Sequence, residues 1–442
     1  MDPYTEFAQK KQLLSKRVRQ STSPVMLGKA TSNLFRHRGD AGKKIDVRQF
    51  TRVLKIDKEN GVCDVEGMTT YERLVDATLA HGMMPTVVPE LKSITIGGAI
   101  AGLGIESSSF RYGLVHETVL ELEILLPSGK IVIATPTNKH KDLFFGFPNS
   151  YGTLGYVLRC KVKIVPVKPF VKLWHTKCTD VDSYFENLES VCRTNRQKGA
   201  DFIDGTLFSP GHAVITIAEM KDSAPYTSDY NGMNIYYKSL QSKKTDYLTI
   251  RDYIWRWDTD WFWCSSHFFV QNRIIRALIP RRFLRSTTYW TVRKWVHKIR
   301  ILDWLSTLLG KRSESVIQDV EIPLNNCAEF AEFLFDRINI RPVWICPLRP
   351  QKLSFSLYPM QKKWYVNFGF WDTVPSTKPR GFYNRLVERK VAKLDGMKSL
   401  YSSVHYSKKE FWQLYNGKKY AALKKKYDPK RRGGDLFEKC TK

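Results

Sequence analysis

Alternating apolar and polar positions in "KKIDVRQFTRVLKIDKENGVCDV", Lys43 to Val65, predict three short strands, the second closing at "KENG" and the third running through Val62 to Val65. The spacing then lengthens: Leu74, Ala77, Thr78 and Leu79 recur at helical intervals until Gly82 stops the run. "VLELEILLPSGKIVIAT", Val119 to Thr135, returns to strand patterning on both sides of the turn Pro127-Ser128-Gly129, and "GTLGYVLRCKVKIVPV", Gly152 to Val167, adds another strand. Beyond about Lys172 the texture changes. "YFENLESVCRTNR" reads as a helix, and "FIDGTLFSPGHAVITIAEM" as a hairpin turning at Ser209-Pro210-Gly211. "SVIQDVEIPLNNCAEFAEFLFDRI" passes from a strand into a helix entered through Asn325 or Asn326, and "RPVWICPLRP" and "KWYVNFGFW" supply further strands. Strands dominate both halves, so the expected class is α+β. A first unit ends near Pro166 to Pro169, and a second carries an antiparallel sheet with helices on one face.

Between the strand groups lies "KSITIGGAIAGLGIESSSFRYG", Lys92 to Gly113, where Gly97, Gly98, Gly102, Gly104 and Gly113 stand among small apolar residues. So bare a backbone suits a cradle in which main-chain N–H groups approach a phosphate, or else a glycine-rich turn between strands. "GLGIES", Gly102 to Ser107, matches the start of a dinucleotide fingerprint. The residues after it form strands rather than a helix, so a Rossmann site is not supported.

Composition adds bounds. At 442 residues, 43% hydrophobic and 13% aromatic, the chain buries a substantial core in two or three domains and is not disordered. A formal charge of +28 predicts attraction to nucleic acid, acidic lipid or phosphorylated ligands, without choosing among them. The eight cysteines stand singly, with no C-x-x-C pair and no clustered histidines, so no metal is expected and the thiols read as reduced and buried. The first 20 residues, "MDPYTEFAQKKQLLSKRVRQ", are charged from the start and lack a signal-peptide core. No run approaches the roughly 20 apolar residues of a spanning helix. The expected location is cytoplasmic, with membrane contact limited to the surface.

The segment from Arg251 to Arg312 stands apart, with seven of the twelve tryptophans: Trp255, Trp257, Trp261, Trp263, Trp290, Trp295 and Trp304. Its many arginines and lysines are opposed only by Asp252, Asp258, Asp260 and Asp303. Three readings fit: aromatics facing a core or ligand pocket, an interfacial element on anionic lipid, and a base-stacking groove. No nucleic-acid-binding motif favours the last.

"VPELKSITIGGAIAGLGIESSSFRYGLV", "DLFFGFPNSYGTLGYVLRCKVKIVP" and "YSKKEFWQLYNGKKYAALKKKYDP" together resemble flavoproteins of the vanillyl-alcohol-oxidase, or PCMH-type, FAD-binding fold. Within it the likeness is to the delta(24)-sterol reductase family, and it extends through "YIWRWDTDWFW" and "PVWICPL". The resemblance implies a two-subdomain FAD-binding domain over 1–168 and a cap domain over 169–395. A C-terminal segment, 396–442, returns to the FAD domain. It implies a first FAD loop in "GKATSNLFR", with Lys29, Thr31, Ser32, Asn33 and Arg36 as contacts. A second loop would be Thr95, Ile96, Gly97 and Gly98 with Gly102, Leu103, Gly104 and Ile105, followed by Ser107. A later contact would come from Gly152, Gly155 and Val157 in "GTLGYV". Relatives of the wider fold often tether FAD through a histidine or cysteine. None stands in "TIGGAIAGLGIESSS", so noncovalent FAD is expected.

Reduction of an isolated carbon–carbon double bond needs a hydride from the flavin and a proton from an acid over the substrate. Glu106, Tyr401 and His405 are the candidates, and each has a bland alternative as an ordinary structural residue. The resemblance implies reduction of a sterol-like or isoprenoid lipid with NADPH as donor, peripheral membrane contact coming through 251–312. Animal members carry an N-terminal anchor that this chain, beginning so near the FAD domain, is expected to lack. Two other hypotheses remain: an FAD-dependent oxidase or dehydrogenase of an alcohol, sugar or lactone, and a non-catalytic basic protein binding membrane or nucleic acid.

Overall fold

In the computed structural model, which describes residues 2–21, 24–29, 32–36, 43–298, 313–351 and 355–441, the early alternation becomes two strand systems. β1 (Val25–Gly28) and β2 (Lys43–Asp46) form a short parallel pair. β3 (Val53–Asp57), β4 (Val62–Glu66), β6 (Val119–Leu125), β7 (Ile131–Ala134) and β8 (Tyr156–Pro166) form an antiparallel sheet in the order β3-β4-β8-β6-β7. β5 (Met83–Pro85) pairs with the far end of β8. The Pro3–Gln20 helix packs Phe7, Leu14 and Val18 against Val25, Leu125, Tyr156 and Leu158, closing one face of this unit.

Past Pro166 the chain enters a second antiparallel sheet of eight strands. These are β9 (Phe170–Cys178), β10 (Phe202–Ser209), β11 (His212–Lys221), β12 (Thr245–Thr249), β13 (Ser313–Pro323), β14 (Val343–Leu348), β15 (Tyr365–Pro375) and β16 (Met397–Lys398). They run in the order β12-β9-β11-β10-β14-β15-β13-β16. β14 is apolar throughout because both its faces are covered. Val343 and Ile345 meet Tyr184, Leu188 and Phe330 from the helices Val181–Lys198 and Cys327–Phe333, while Trp344 and Cys346 face the core shared with the first unit. The chain's end comes back to that first unit: Leu423 fills the space above Gly146, where a Cβ would lie 2.3 Å from its Cδ1.

Two segments differ from a plain reading of their sequence. The glycine-rich stretch holds a helix, Ile96–Gly102, where a loop is expected. Thr95 caps it by accepting from the Gly98 N–H (3.2 Å), and Gly97 N–H donates to the Gly67 carbonyl at 2.8 Å. These glycines serve close backbone contact, since a Cβ on Gly97 would sit 2.6 Å from that oxygen. In the aromatic segment Trp255, Trp257, Trp261 and Trp263 are buried, so their rings face the interior rather than solvent. Trp304 and the Trp295 side chain lie outside the described residues.

Candidate active site

A cleft separates the Ile96–Gly102 helix and the start of β8 from the inner face of the second sheet. One end is built of small residues. Lys29, Ser32 and Asn33 reach it from the N-terminal segment, Thr95, Gly97, Gly98, Gly102, Leu103, Gly104 and Ile105 from the glycine-rich stretch, Gly152 and Gly155 from the turn before β8, and Val157 from the start of that strand. Side chains have no room at several of these glycines. A Cβ on Gly104 would meet Val115 at 2.9 Å and Pro89 at 3.0 Å, and one on Gly155, whose φ is 137°, would lie 2.6 Å from the Leu125 oxygen. Ile96 and Ser107 are buried behind the lining. Arg36 clamps the chain's two ends, donating through Nε to the Leu400 carbonyl at 2.9 Å and through Nη1 to that of Lys439 at 2.5 Å. Thr31 lies outside the described residues.

The other end is aromatic, walled by Phe35, Trp261, Phe262, Trp344 and Trp371. Phe262 and Trp371 have ring centroids 4.3 Å apart. Into this apolar wall project Asp319 and Glu321, two residues apart on β13 and so on one face of the strand, together with Tyr401. Trp371 Nε1–H donates to the Tyr401 hydroxyl at 2.9 Å, and Tyr401 in turn bonds Asp319. The Tyr358 hydroxyl donates to Glu321. Burial pushes the Asp319 carboxyl up to about 7, against hydrogen bonds from Asn367 and Tyr401. Burial likewise pushes Glu321 up to about 8, the bond from Tyr358 opposing it and the neighbouring Asp319 adding to it. At pH 7 Glu321 is therefore largely protonated, while Asp319 is divided between its acid and its ionised form.

A family described as "FAD binding domain" matches residues 12–135. The chain is 27% identical over 413 residues to the delta(24)-sterol reductase of Homo sapiens, covering 88% of this chain and 76% of that one. The Mus musculus protein of the same description is 26% identical over 411 residues with the same coverage. That of Pisum sativum is 25% identical over 453 residues, covering 90% and 76%. The chain is an FAD-dependent oxidoreductase homologous to the delta(24)-sterol reductases.

The small-residue end fits a dinucleotide. Ser32 Oγ is buried there with no hydrogen-bond partner among the described residues, as a hydroxyl awaiting a ligand acceptor would be. Lys29 Nζ stands 3.9 Å from where a Gly98 Cβ would lie, which puts a cation above the glycine backbone. Among the described residues lining the cleft none is histidine or cysteine. Replacing Gly97 by Ala is expected to force the Ile96–Gly102 helix away from Gly67, lowering stability by about 1–3 kcal/mol and loosening the flavin. Thermal melts followed by flavin fluorescence check it.

In this sterol reductase homologue the three expected catalytic residues part company. Tyr401 lines the cleft. Glu106 sits behind it, accepting from Arg256 Nη2 at 3.0 Å, while the same nitrogen donates to Asp204 at 2.7 Å. Between Glu106 and the cleft stands Glu90, whose carboxyl burial and the charge of Glu106 together hold well above the carboxylate range. His405 is off the cleft. Its N–H donates to Glu388 at 3.0 Å, its ring covers Gly381, and burial lowers its imidazole pKa. Sequence reasoning missed Asp319, Glu321 and Glu90. For the first two a signal existed in "IQDVEIP", where acids alternate with the apolar residues of a strand that has cover on both faces.

Among the described residues no group of three His, Cys, Asp or Glu side chains could hold a metal, and no helix is long and apolar enough to cross a membrane.

Proposed function

We propose that the chain reduces a carbon–carbon double bond of a sterol-like or isoprenoid lipid, with NADPH as the electron donor. The observation that carries this reading is the placement, in an aromatic-walled cleft, of two buried carboxyls that keep their protons up to about 7 and about 8. Lys29, Ser32, Asn33 and the glycines from Gly97 to Gly104 would hold the FAD, which supplies hydride chemistry when bound. The tryptophan wall receives the apolar substrate and excludes water. Asp319 is the group we assign to proton delivery, with Tyr401 and Asn367 fixing its orientation and Glu321 beside it. Tyr401 itself is a poor acid, because burial and the neighbouring Asp319 hold its hydroxyl well above its ordinary value. A carboxyl near neutrality matches the task better. Glu106 acts, in this account, by setting the charge state of Glu90 rather than by touching substrate.

The test is anaerobic. NADPH should bleach the yellow protein, and an unsaturated sterol should restore the colour; bleaching by a polyol or lactone and not by NADPH would replace this reading. The flavin should be noncovalent, so acid precipitation is expected to leave a white pellet and a yellow supernatant. A yellow pellet would show a tether. Eight free, buried cysteines suit a reducing, cytoplasmic setting.

A further inference from the structure

Eleven large apolar side chains are exposed among the described residues, and six of them fall between Phe269 and Val292. Such clustering marks an interaction surface, whereas scattered single residues would need no explanation. The most exposed are Phe269 at 74%, Ile274 at 74% and Leu278 at 79%. Ile274 and Leu278 stand one turn apart on the Arg273–Leu278 helix, and Arg276 points the opposite way. Arg276 is buried, donating to the Asp260 carboxylate at 2.6 and 3.0 Å and through Nε to the Gly232 carbonyl at 2.7 Å. The helix is thus pinned by a charged inner face, while its aliphatic outer face is left exposed among the described residues.

The rim is basic. From Trp261 to Leu302 the sequence has nine Lys and Arg and no Asp or Glu. Arg281 pairs with Asp229 and Arg285 with Glu72. Arg273 and Arg282 have no carboxylate partner among the described residues, Arg282 lying over the exposed Phe283 ring at 4.9 Å. A second copy of this chain would bring two such rims together, and like charges oppose that contact. Aliphatic tips cannot stack on bases as aromatic rings do. They insert among acyl chains, while arginines beside them reach anionic headgroups.

We propose that the face formed by Phe269, Ile274, Leu278 and Phe283, with Arg273 and Arg282, docks on the surface of an anionic bilayer. The same segment continues into the cleft wall. Ser286 donates to Asp258 at 2.6 Å, and Trp290 packs on Phe35 and Trp261 with centroids 4.9 and 5.6 Å away. Docking would therefore place the aromatic end of the cleft next to lipid, and this inference stands whatever double bond the enzyme reduces.

Flotation of the full flavin-loaded protein with phosphatidylcholine vesicles, with and without phosphatidylserine, tests it. Binding is expected with phosphatidylserine and far less without it. Ile274→Glu with Leu278→Glu should weaken binding at least about tenfold, and Arg273→Gln with Arg282→Gln about tenfold through lost attraction to anionic lipid. Ile274→Ser with Leu278→Ser serves if the first pair does not fold, and flavin spectrum and melting temperature should match wild type. The proposal fails if wild type does not float with anionic vesicles or if the aliphatic variants bind as wild type does. It also fails if those variants turn a dimer into a monomer by light scattering while vesicle binding is unchanged, since the face would then be a self-contact.

Discussion

Asp319→Asn is expected to bind flavin normally and accept electrons from NADPH at the wild-type rate, yet return them to an unsaturated sterol roughly a hundred- to ten-thousand-fold more slowly. The split follows from what the carboxyl does. It has no part in loading electrons and is the proton source when they leave for carbon. The pH dependence carries a second signature. Burial holds Asp319 up at about 7 and Glu321 at about 8, so both keep their protons below that window and lose them above it. Turnover should be level in mild acid and fall as pH rises through 7 to 8, and the limb near 7 should be missing from the residual activity of Asp319→Asn. Tyr401→Phe removes a hydrogen bond that favours the ionised carboxyl. The limb should then move to higher pH, with a smaller loss of rate than Asp319→Asn shows. Stopped-flow traces of the two half-reactions across pH decide the matter. Turnover that climbs between pH 7 and 8, or an Asp319→Asn enzyme as fast as wild type, would remove the residue from the chemistry.

How far this site could be seen in the sequence depended on what each residue's neighbours are. The strands were legible because period-2 alternation is a local property: Val62 to Glu66 and Tyr156 to Pro166 appear where their patterns place them. The Ile96–Gly102 helix was not, because glycine has poor helix propensity and the helix exists only by packing on Gly67, a contact 30 residues away in sequence. The tryptophans around Trp257 gave a segment's composition without its inside and outside; the structure turns them inward and leaves Phe269, Ile274 and Leu278 outside. Glu106 looked catalytic because it adjoins the glycine stretch, but adjacency in sequence does not give direction. Its carboxylate turns toward Arg256, 150 residues on. Asp319 and Glu321 become cleft residues only through β15 beside them and β14 beyond it, which bring Trp371 and Trp344 to the same cleft.

Arg256→Met should destabilise the protein by about 3–5 kcal/mol, as breaking a buried ion pair from one side does. One guanidinium compensates two buried carboxylates here, Asp204 at 2.7 Å and Glu106 at 3.0 Å, and also donates to the Tyr253 carbonyl at 2.9 Å and lies 4.1 Å from the Tyr253 ring. Met fills similar volume but leaves both acids without a countercharge, so the penalty is electrostatic rather than a cavity. That origin is separable from packing loss. Adding Glu106→Gln and Asp204→Asn to Arg256→Met should recover most of the stability, because neutral amides can be hydrogen-bonded where lone carboxylates cannot be tolerated. Arg256→Lys should not rescue, since an ammonium cannot span both acids with the geometry of a guanidinium. The consequence extends to the cleft: Asp204 accepts from Trp344 Nε1 at 3.3 Å, and Glu106 stands behind Glu90, so the variant should also release flavin at a lower temperature than it unfolds. Denaturant melts by tryptophan emission, run beside flavin-release curves, measure both. A loss under about 1 kcal/mol, the range of an exposed pair, would show that the three charges are not the buried unit described here.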